Sequence, residues 1–308
     1  MNLTKTLKSI TGAYKKLSMF GKILLFIVCL LIILTIFRPN NSKSSKEGFE
    51  QNEQFVFKQG PSLYDNFYAS VYDKLSNTTI DSPFEIGTIL TATQPTSQSI
   101  ILDVGCRTGS RVSKLSEQNL EVIGIDVSPF MIKKSLMNYP DHKFIVGNAL
   151  NVGQFQPLSF THILCLDRII YTFEDKRQLV NNFIDWLMPG GYFMLHVVDV
   201  DSYNPVSNKT TLPIIVTSGG KPSKPSKKIK TKNYDYTSNY TLDNNIGTII
   251  EKFQFKNGNV RKQEHKLFME DKEVILTIVQ QCGFTLQSIV DVMNSGYGKQ
   301  YIYIFVKP

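Results

Sequence analysis

The chain has 308 residues, and 42% of them are hydrophobic and 19% charged, a balance that suffices for one packed core. Its net charge of +8 is unevenly placed: residues 1–48 hold eight Lys and Arg against Glu47, and residues 219–232 hold six lysines with no acid. The remainder carries 20 basic against 25 acidic residues, too acidic for a nucleic-acid clamp, whose phosphate contacts need clustered Lys and Arg.

Residues 1–22 are basic, and residues 23–37, ILLFIVCLLIILTIF, contain Thr35 as their one polar residue. As a helix this run covers roughly 22 Å, and about 28 Å with Met19, Phe20 and Gly21 if Lys22 snorkels, against a hydrocarbon core of ~30 Å. The expectation is an uncleaved single-pass transmembrane anchor at 23–37. Residues 38–41, RPNN, lack the small residues of a signal-peptide cleavage site; a cleaved signal and a re-entrant hairpin are the alternatives. The excess of lysine before the span favours a cytoplasmic N-terminus, whereas free-thiol cysteines favour the domain on that side, so the orientation stays open. Residues 38–60 turn polar and read as a flexible linker.

The folded domain is expected over 61–308. Leu63, Phe67, Val71 and Leu75 recur at four-residue spacing with Tyr64, Tyr68 and Tyr72 on an adjacent stripe, the pattern of an amphipathic helix. A second helix is expected from Ser82, as N-cap, with Pro83 at its first position. Apolar strands then alternate with helices through residue 198, which predicts a parallel sheet covered on both faces, with ligands at the carboxyl ends of the strands. Residues 199–268 form an insertion. Its start is rich in Pro, Ser and Lys, and its end has two alternating runs joined by Lys256, Asn257 and Gly258, a hairpin signal. A helix at 272–282 and two final strands resume the α/β pattern. Cys29, Cys106, Cys165 and Cys282 lie far apart without CxxC spacing, against a disulfide framework or a zinc site; no metal is expected.

Three motifs occur in order: DVGCRTG at 103–109, GIDVS at 124–128 and LMPGG at 187–191. In this order and spacing they resemble a class I S-adenosylmethionine-dependent methyltransferase of the type 11/25 kind, over roughly residues 62–198. The resemblance implies a Rossmann-like seven-stranded sheet with helices on both faces, an antiparallel last strand and a mainly β insertion after strand five. It implies S-adenosylmethionine as cofactor, held by Asp103, Gly105, Cys106, Arg107, Gly109, Asp126, Val127, Asn148, Ala149 and Asp167. The residue chemistry agrees: glycines allow a tight turn beside a ligand, and a carboxylate ending the second strand can accept from both ribose hydroxyls. A dinucleotide dehydrogenase would carry GxGxxG, which the loop lacks.

Arg107 stands where such loops usually have glycine. Its guanidinium could bind the methionine carboxylate or an acidic substrate, point to solvent, or occlude the site. Thr161 is a second departure, at a position that is often Asp in the family. Candidates for catalysis are Asp167, Tyr171, His196 and Tyr68, with Arg168, Asp199 and Tyr64 nearby in the strand-end scheme. His196, within a strand, and the tyrosine stripe could equally be packed core. The lysine run 221–232 reads as a mobile loop, or as a contact for anionic lipid. The expected activity is methyl transfer to a small-molecule or peptide acceptor chosen by the insertion; the alternative is a catalytically inactive, membrane-tethered interaction module.

Overall fold

The computed structural model describes residues 18–23, 28, 53–76, 78–206, 226–292 and 298–308. The chain divides into two units, residues 1–47 and 48–308. In the first unit residues 19–23 and 28 are helical. Most of the expected anchor at 23–37 lies outside the described residues, among which no helix is long and apolar enough to cross a membrane.

The second unit is built on two sheets. Its seven-stranded sheet is assembled from β2 (Ile100–Val104), β3 (Glu121–Asp126), β4 (Lys143–Val146), β5 (Phe160–Cys165), β6 (Leu187–Val198), β11 (Thr285–Asp291) and β12 (Gln300–Val306). The order is β11-β12-β6-β5-β2-β3-β4, with β12 antiparallel to both neighbours. Alternation along each strand feeds two cores. Leu102, Ile163, Cys165, Phe193 and Leu195 face one side, against Leu179, Phe183 and Trp186 of α5 (Lys176–Trp186) and Ile275 and Val279 of α6 (Lys272–Gln281). Ile101, Leu164 and Met194 face the other, against Ile89 of α2 (Thr78–Thr93) and Val112 and Leu115 of α3 (Ser110–Ser116). Each fully buried Leu, Ile or Phe contributes ~1.5–3 kcal/mol, so these two-sided strands carry most of the stability.

The smaller sheet has the order β1-β10-β9-β8-β7: β1 (Phe55–Gln59), β7 (Ser226–Lys230), β8 (Tyr234–Asp243), β9 (Ile246–Phe255) and β10 (Val260–Phe268). It packs on α1 (Asn66–Leu75), where Phe67, Val71 and Leu75 meet Tyr234, Tyr236, Phe253 and Phe255. The Asp65 carboxylate caps α1 by accepting from the Tyr68 N–H at 3.1 Å. Tyr68 and Tyr72 lie on this helix as a second stripe, and Tyr64 precedes it at the end of the 3-10 turn Gly60–Leu63.

Three expectations need correction. Residues 55–59 of the expected linker form β1, which pairs in parallel with β10 and completes a sheet edge. Part of the lysine run, expected as a loop, is the edge strand β7, where lysines suit a solvent-facing rim, and the Lys227 Nζ donates to the Leu75 carbonyl at 2.6 Å; residues 221–225 lie outside the described residues. Helix α2 begins at Thr78 and runs through Pro83, which removes one helical N–H but does not stop a helix already five residues long. The Pro-Gly-Gly segment falls within β6, because the Gly190 N–H donates to the Lys307 carbonyl at 2.8 Å and the Lys307 N–H donates to Gly191 at 2.9 Å.

Candidate active site

The loop after β2 closes at the carboxyl end of the sheet. Gly105 and Gly109 adopt φ of +69° and +88°. A Cβ at Gly105 would lie 2.6 Å from Ile169 Cγ1, and one at Gly109 2.6 Å from Phe144 Cζ. The loop therefore passes between these two side chains only as glycine. The Gly105 and Cys106 N–H groups both donate to the Ile125 carbonyl, at 2.8 and 3.0 Å, tying the loop to the end of β3.

Asp126 ends β3. Its carboxylate accepts from the Arg107 N–H at 3.1 Å and the Ser128 N–H at 2.9 Å. Burial pushes the carboxyl up, against those two donors and the Arg107 charge. Two acceptor lone pairs remain after these bonds, the number a ribose diol needs. Ser128 also caps α4 (Pro129–Asn138), accepting from the Met131 N–H at 3.1 Å. At the end of β4, the Asn148 side-chain oxygen accepts from the Leu150 N–H at 3.0 Å, and the buried Ala149 carbonyl accepts from Asn182 at 2.8 Å. Val127 is exposed beside Asp126.

Arg107 turns inward, which is not the solvent-pointing one of its three alternatives. Its φ of +54° is the backbone of a glycine, which costs an L-residue ~1–2 kcal/mol. The side chain gains an ion pair with Asp167 and lies over the Tyr72 ring at 5.4 Å. Asp167 also pairs with Arg168, whose Nη1 donates to Gln300 at 3.0 Å. Asp167 and Arg168 themselves have φ of +52° and +63°, so the turn after β5 holds the carboxylate toward the glycine loop.

A cavity of about 250 Å³ opens over Arg107, Asp167 and Arg168, while Gly109, Asp126, Val127, Asn148 and Ala149 lie outside its lining. Its floor includes Gly105, Cys106, Arg107 and Asp167, and its roof includes Tyr64, Tyr68, Tyr236, Glu251 and His265. Tyr64, Tyr68 and Tyr72 form a ladder with ring centroids 5.8 and 5.9 Å apart. Burial pushes the Tyr64 hydroxyl up to about 12 and that of Tyr68 well above the usual range, so both remain neutral donors.

Other candidates fall elsewhere. Asp103 is fully buried behind the loop, where Oδ1 accepts from Arg111 at 2.7 Å, and Arg111 also pairs with Glu85 at 2.9 Å. Its Oδ2 has no hydrogen-bond partner. Asp103 thus orients Arg111 beneath the loop and is absent from the cavity lining. His196 is buried in β6, with Nε2 3.0 Å from Gln300 Oε1, and burial holds it below its usual range. Tyr171 reaches the cavity lining, but its hydroxyl accepts from the Val198 N–H at 3.0 Å. Asp199 caps a turn by accepting from the Ser202 N–H at 3.3 Å. Thr161 bridges strands, accepting from the Ile100 N–H at 2.9 Å and donating to the Ile100 carbonyl at 3.0 Å, a structural task that asks for a hydroxyl.

The family model for a methyltransferase domain matches residues 102–195, which span the loop, Asp126, Asn148 and Asp167. That stretch matches a methyltransferase domain. The fold is likewise shared with solved methyltransferases. An S-adenosylmethionine-dependent methyltransferase from Clostridium acetobutylicum superposes with a TM-score of 0.58 at 15% identity, over 78% of this chain and 98% of that one. The CcbJ methyltransferase from Streptomyces caelestis gives 0.60 at 13%, over 79% and 97%. CalS10, an amino pentose methyltransferase from Micromonospora echinaspora solved with S-adenosylmethionine bound, gives 0.56 at 16%, over 80% and 98%.

Glu251 and His265 were not singled out in the sequence. The usable signal was the Lys256-Asn257-Gly258 turn: once it sets the β9–β10 register, Glu251 faces Gln263, and His265 is the next residue on that face.

Proposed function

We propose that the protein transfers a methyl group from S-adenosylmethionine to a small acceptor bound between the two sheets. The observation that carries this proposal is Asp126, held by two backbone N–H groups at the end of β3 beside the glycine loop. S-adenosylmethionine supplies a sulfonium-bound methyl group, which leaves by in-line displacement. Asp126 would accept from the ribose hydroxyls, with Val127, Asn148 and Ala149 beside the adenine. Arg107 and Asp167 carry opposite charges suited to the carboxylate and ammonium of the methionine end, provided their mutual pair exchanges for these partners. The tyrosine ladder closes the acceptor side and excludes water.

Calorimetric titration of S-adenosylmethionine into the full chain in detergent, beside Asp126→Ala, tests this function. Saturable binding that is lost in the variant is expected, followed by a tritiated-methyl screen of small amines, alcohols and carboxylates. Absence of binding to folded protein would leave the Arg107–Asp167 pair as a closed floor and favour a non-catalytic interaction module. Residues 23–37 are assigned as a single-pass anchor on their hydropathy, and the lysines near 221–232 as a contact for anionic lipid. Extraction of the protein from membranes by alkaline carbonate would overturn the anchor.

A further inference from the structure

The cavity roof holds a hydrogen-bonded cluster to which the proposed function gives no role. Glu251 on β9 and His265 on β10 are diagonal neighbours, since Glu251 pairs with Gln263. Glu251 is buried, and three neighbours engage its carboxylate. Oε2 accepts from Gln263 at 2.5 Å and lies 2.7 Å from His265 Nε2, while Oε1 accepts from the Tyr236 hydroxyl. Burial works against the charge of Glu251, but the charge and bond of His265, with the two further donors, outweigh it and hold the carboxyl at about 2. An ionised carboxylate is acceptor-only, so the neutral imidazole places its proton on Nε2 and its lone pair on Nδ1. The Tyr68 hydroxyl, 3.4 Å from the same Nε2, faces that N–H with its oxygen, and nothing among the described residues bonds Nδ1. The ring is flanked by Tyr64 and Tyr68, at centroid distances of 5.9 and 5.6 Å, and its side chain keeps 13% exposure where it lines the cavity.

Resting on the methyl-transfer function proposed above, we propose that His265, oriented by Glu251, is the general base for the acceptor, and that the acceptor is a small amine. An amine reaches the site as an ammonium ion with no lone pair to offer. One N–H bond breaks and its proton passes to His265 Nδ1. The freed pair forms the new N–C bond, and the electrons of the broken C–S bond remain on sulfur. The faces of Tyr64 and Tyr68 suit the incoming cation, and a cavity of about 250 Å³ admits a small molecule. The titratable and charged groups around the imidazole are Glu251, Tyr236 and Lys227 from the sheet and Tyr64 and Tyr68 from the helical side. Lys227 is drawn away by its bond to the Leu75 carbonyl. Glu251 does not touch the acceptor; it is a positioning residue.

The test has two arms on the full chain. Spectra of ¹⁵N-histidine-labelled protein should show the Nε2–H tautomer for His265, and Glu251→Gln should shift a large share to Nδ1–H, because an amide can donate to Nε2. A wild-type Nδ1–H tautomer, or one indifferent to Glu251→Gln, overturns the proposal. With an acceptor from the tritiated-methyl screen, His265→Asn should lower kcat at least ~100-fold and abolish the acid limb of the pH profile, with donor affinity held within about twofold. Glu251→Asp should recover part of the rate lost in Glu251→Gln. Unchanged kcat, donor affinity falling in parallel with kcat, or methylation of alcohols in preference to amines would each overturn it. A wild-type chain that binds no S-adenosylmethionine, yet shows the expected tautomer, would mark failure of the methyl-transfer function rather than of the hydrogen-bonded pair.

Discussion

Arg107 occupies a left-handed backbone position at the centre of the glycine loop, and its cost is offset by Asp167 and the Tyr72 face. If the guanidinium transfers to the cofactor carboxylate, Arg107→Ala should weaken S-adenosylmethionine binding about 10- to 100-fold, matching ~1.5–3 kcal/mol for a charged hydrogen bond. Decarboxylated S-adenosylmethionine should bind wild type and variant alike; tighter binding of both ligands to the variant would instead make the arginine a plug. Gly109 has neither backbone nor steric freedom to change. Gly109→Ala should cost about 2–4 kcal/mol in denaturant unfolding, because the strained φ and the Phe144 contact add. The positions of Asp126 and the glycines in the fold were legible in the sequence because they are local, a carboxylate at a strand end and a turn that needs no Cβ. The Asp103–Arg111–Glu85 chain was not legible, because Arg111 and Glu85 lie on α3 and α2 and no spacing argument reveals a salt bridge behind a loop.

At the level of elements, alternation and capping told most of the story. The central strands β2 and β5 of the large sheet are mostly apolar, as burial on both faces demands, and the Gly258 hairpin is as its sequence implies. Gly258 has φ of +93° with open space around it, so Gly258→Ala carries only backbone strain and should lose about 1 kcal/mol. A loss above ~3 kcal/mol in equilibrium unfolding would mean the turn does more than set register. What alternation could not tell is which strands lie together. β1 is five residues set in polar surroundings, and it becomes a strand only because β10 offers an edge. The Glu251–His265 pair was hidden for the same reason, since it exists only across two strands.

Across the whole molecule, buried ionisable groups make stability depend on pH. His162 is 3% exposed and stacks on Tyr192, with centroids 5.2 Å apart, and burial lowers its pKa from 6.5 to about 4. The unfolded chain binds the proton first, so this contribution is full above pH 6.5 and is lost as pH falls through about 4. The Asp103 and Asp126 carboxyls are raised and act in the opposite sense, so the test is a difference. Denaturant midpoints of wild type and His162→Asn should converge as pH falls from 6.5 to 4; a constant gap would remove His162 from the acid response.

The parallel pairing of β1 with β10 also gives the protein a mechanical grip. Tension on the residues before Phe55, directed along the strand, loads all five rungs from Phe55↔Val260 to Gln59↔Glu264 together in shear rather than peeling them singly. The strand that resists is the one that carries His265, so a tug on the N-terminal side of the chain arrives within a residue of the imidazole.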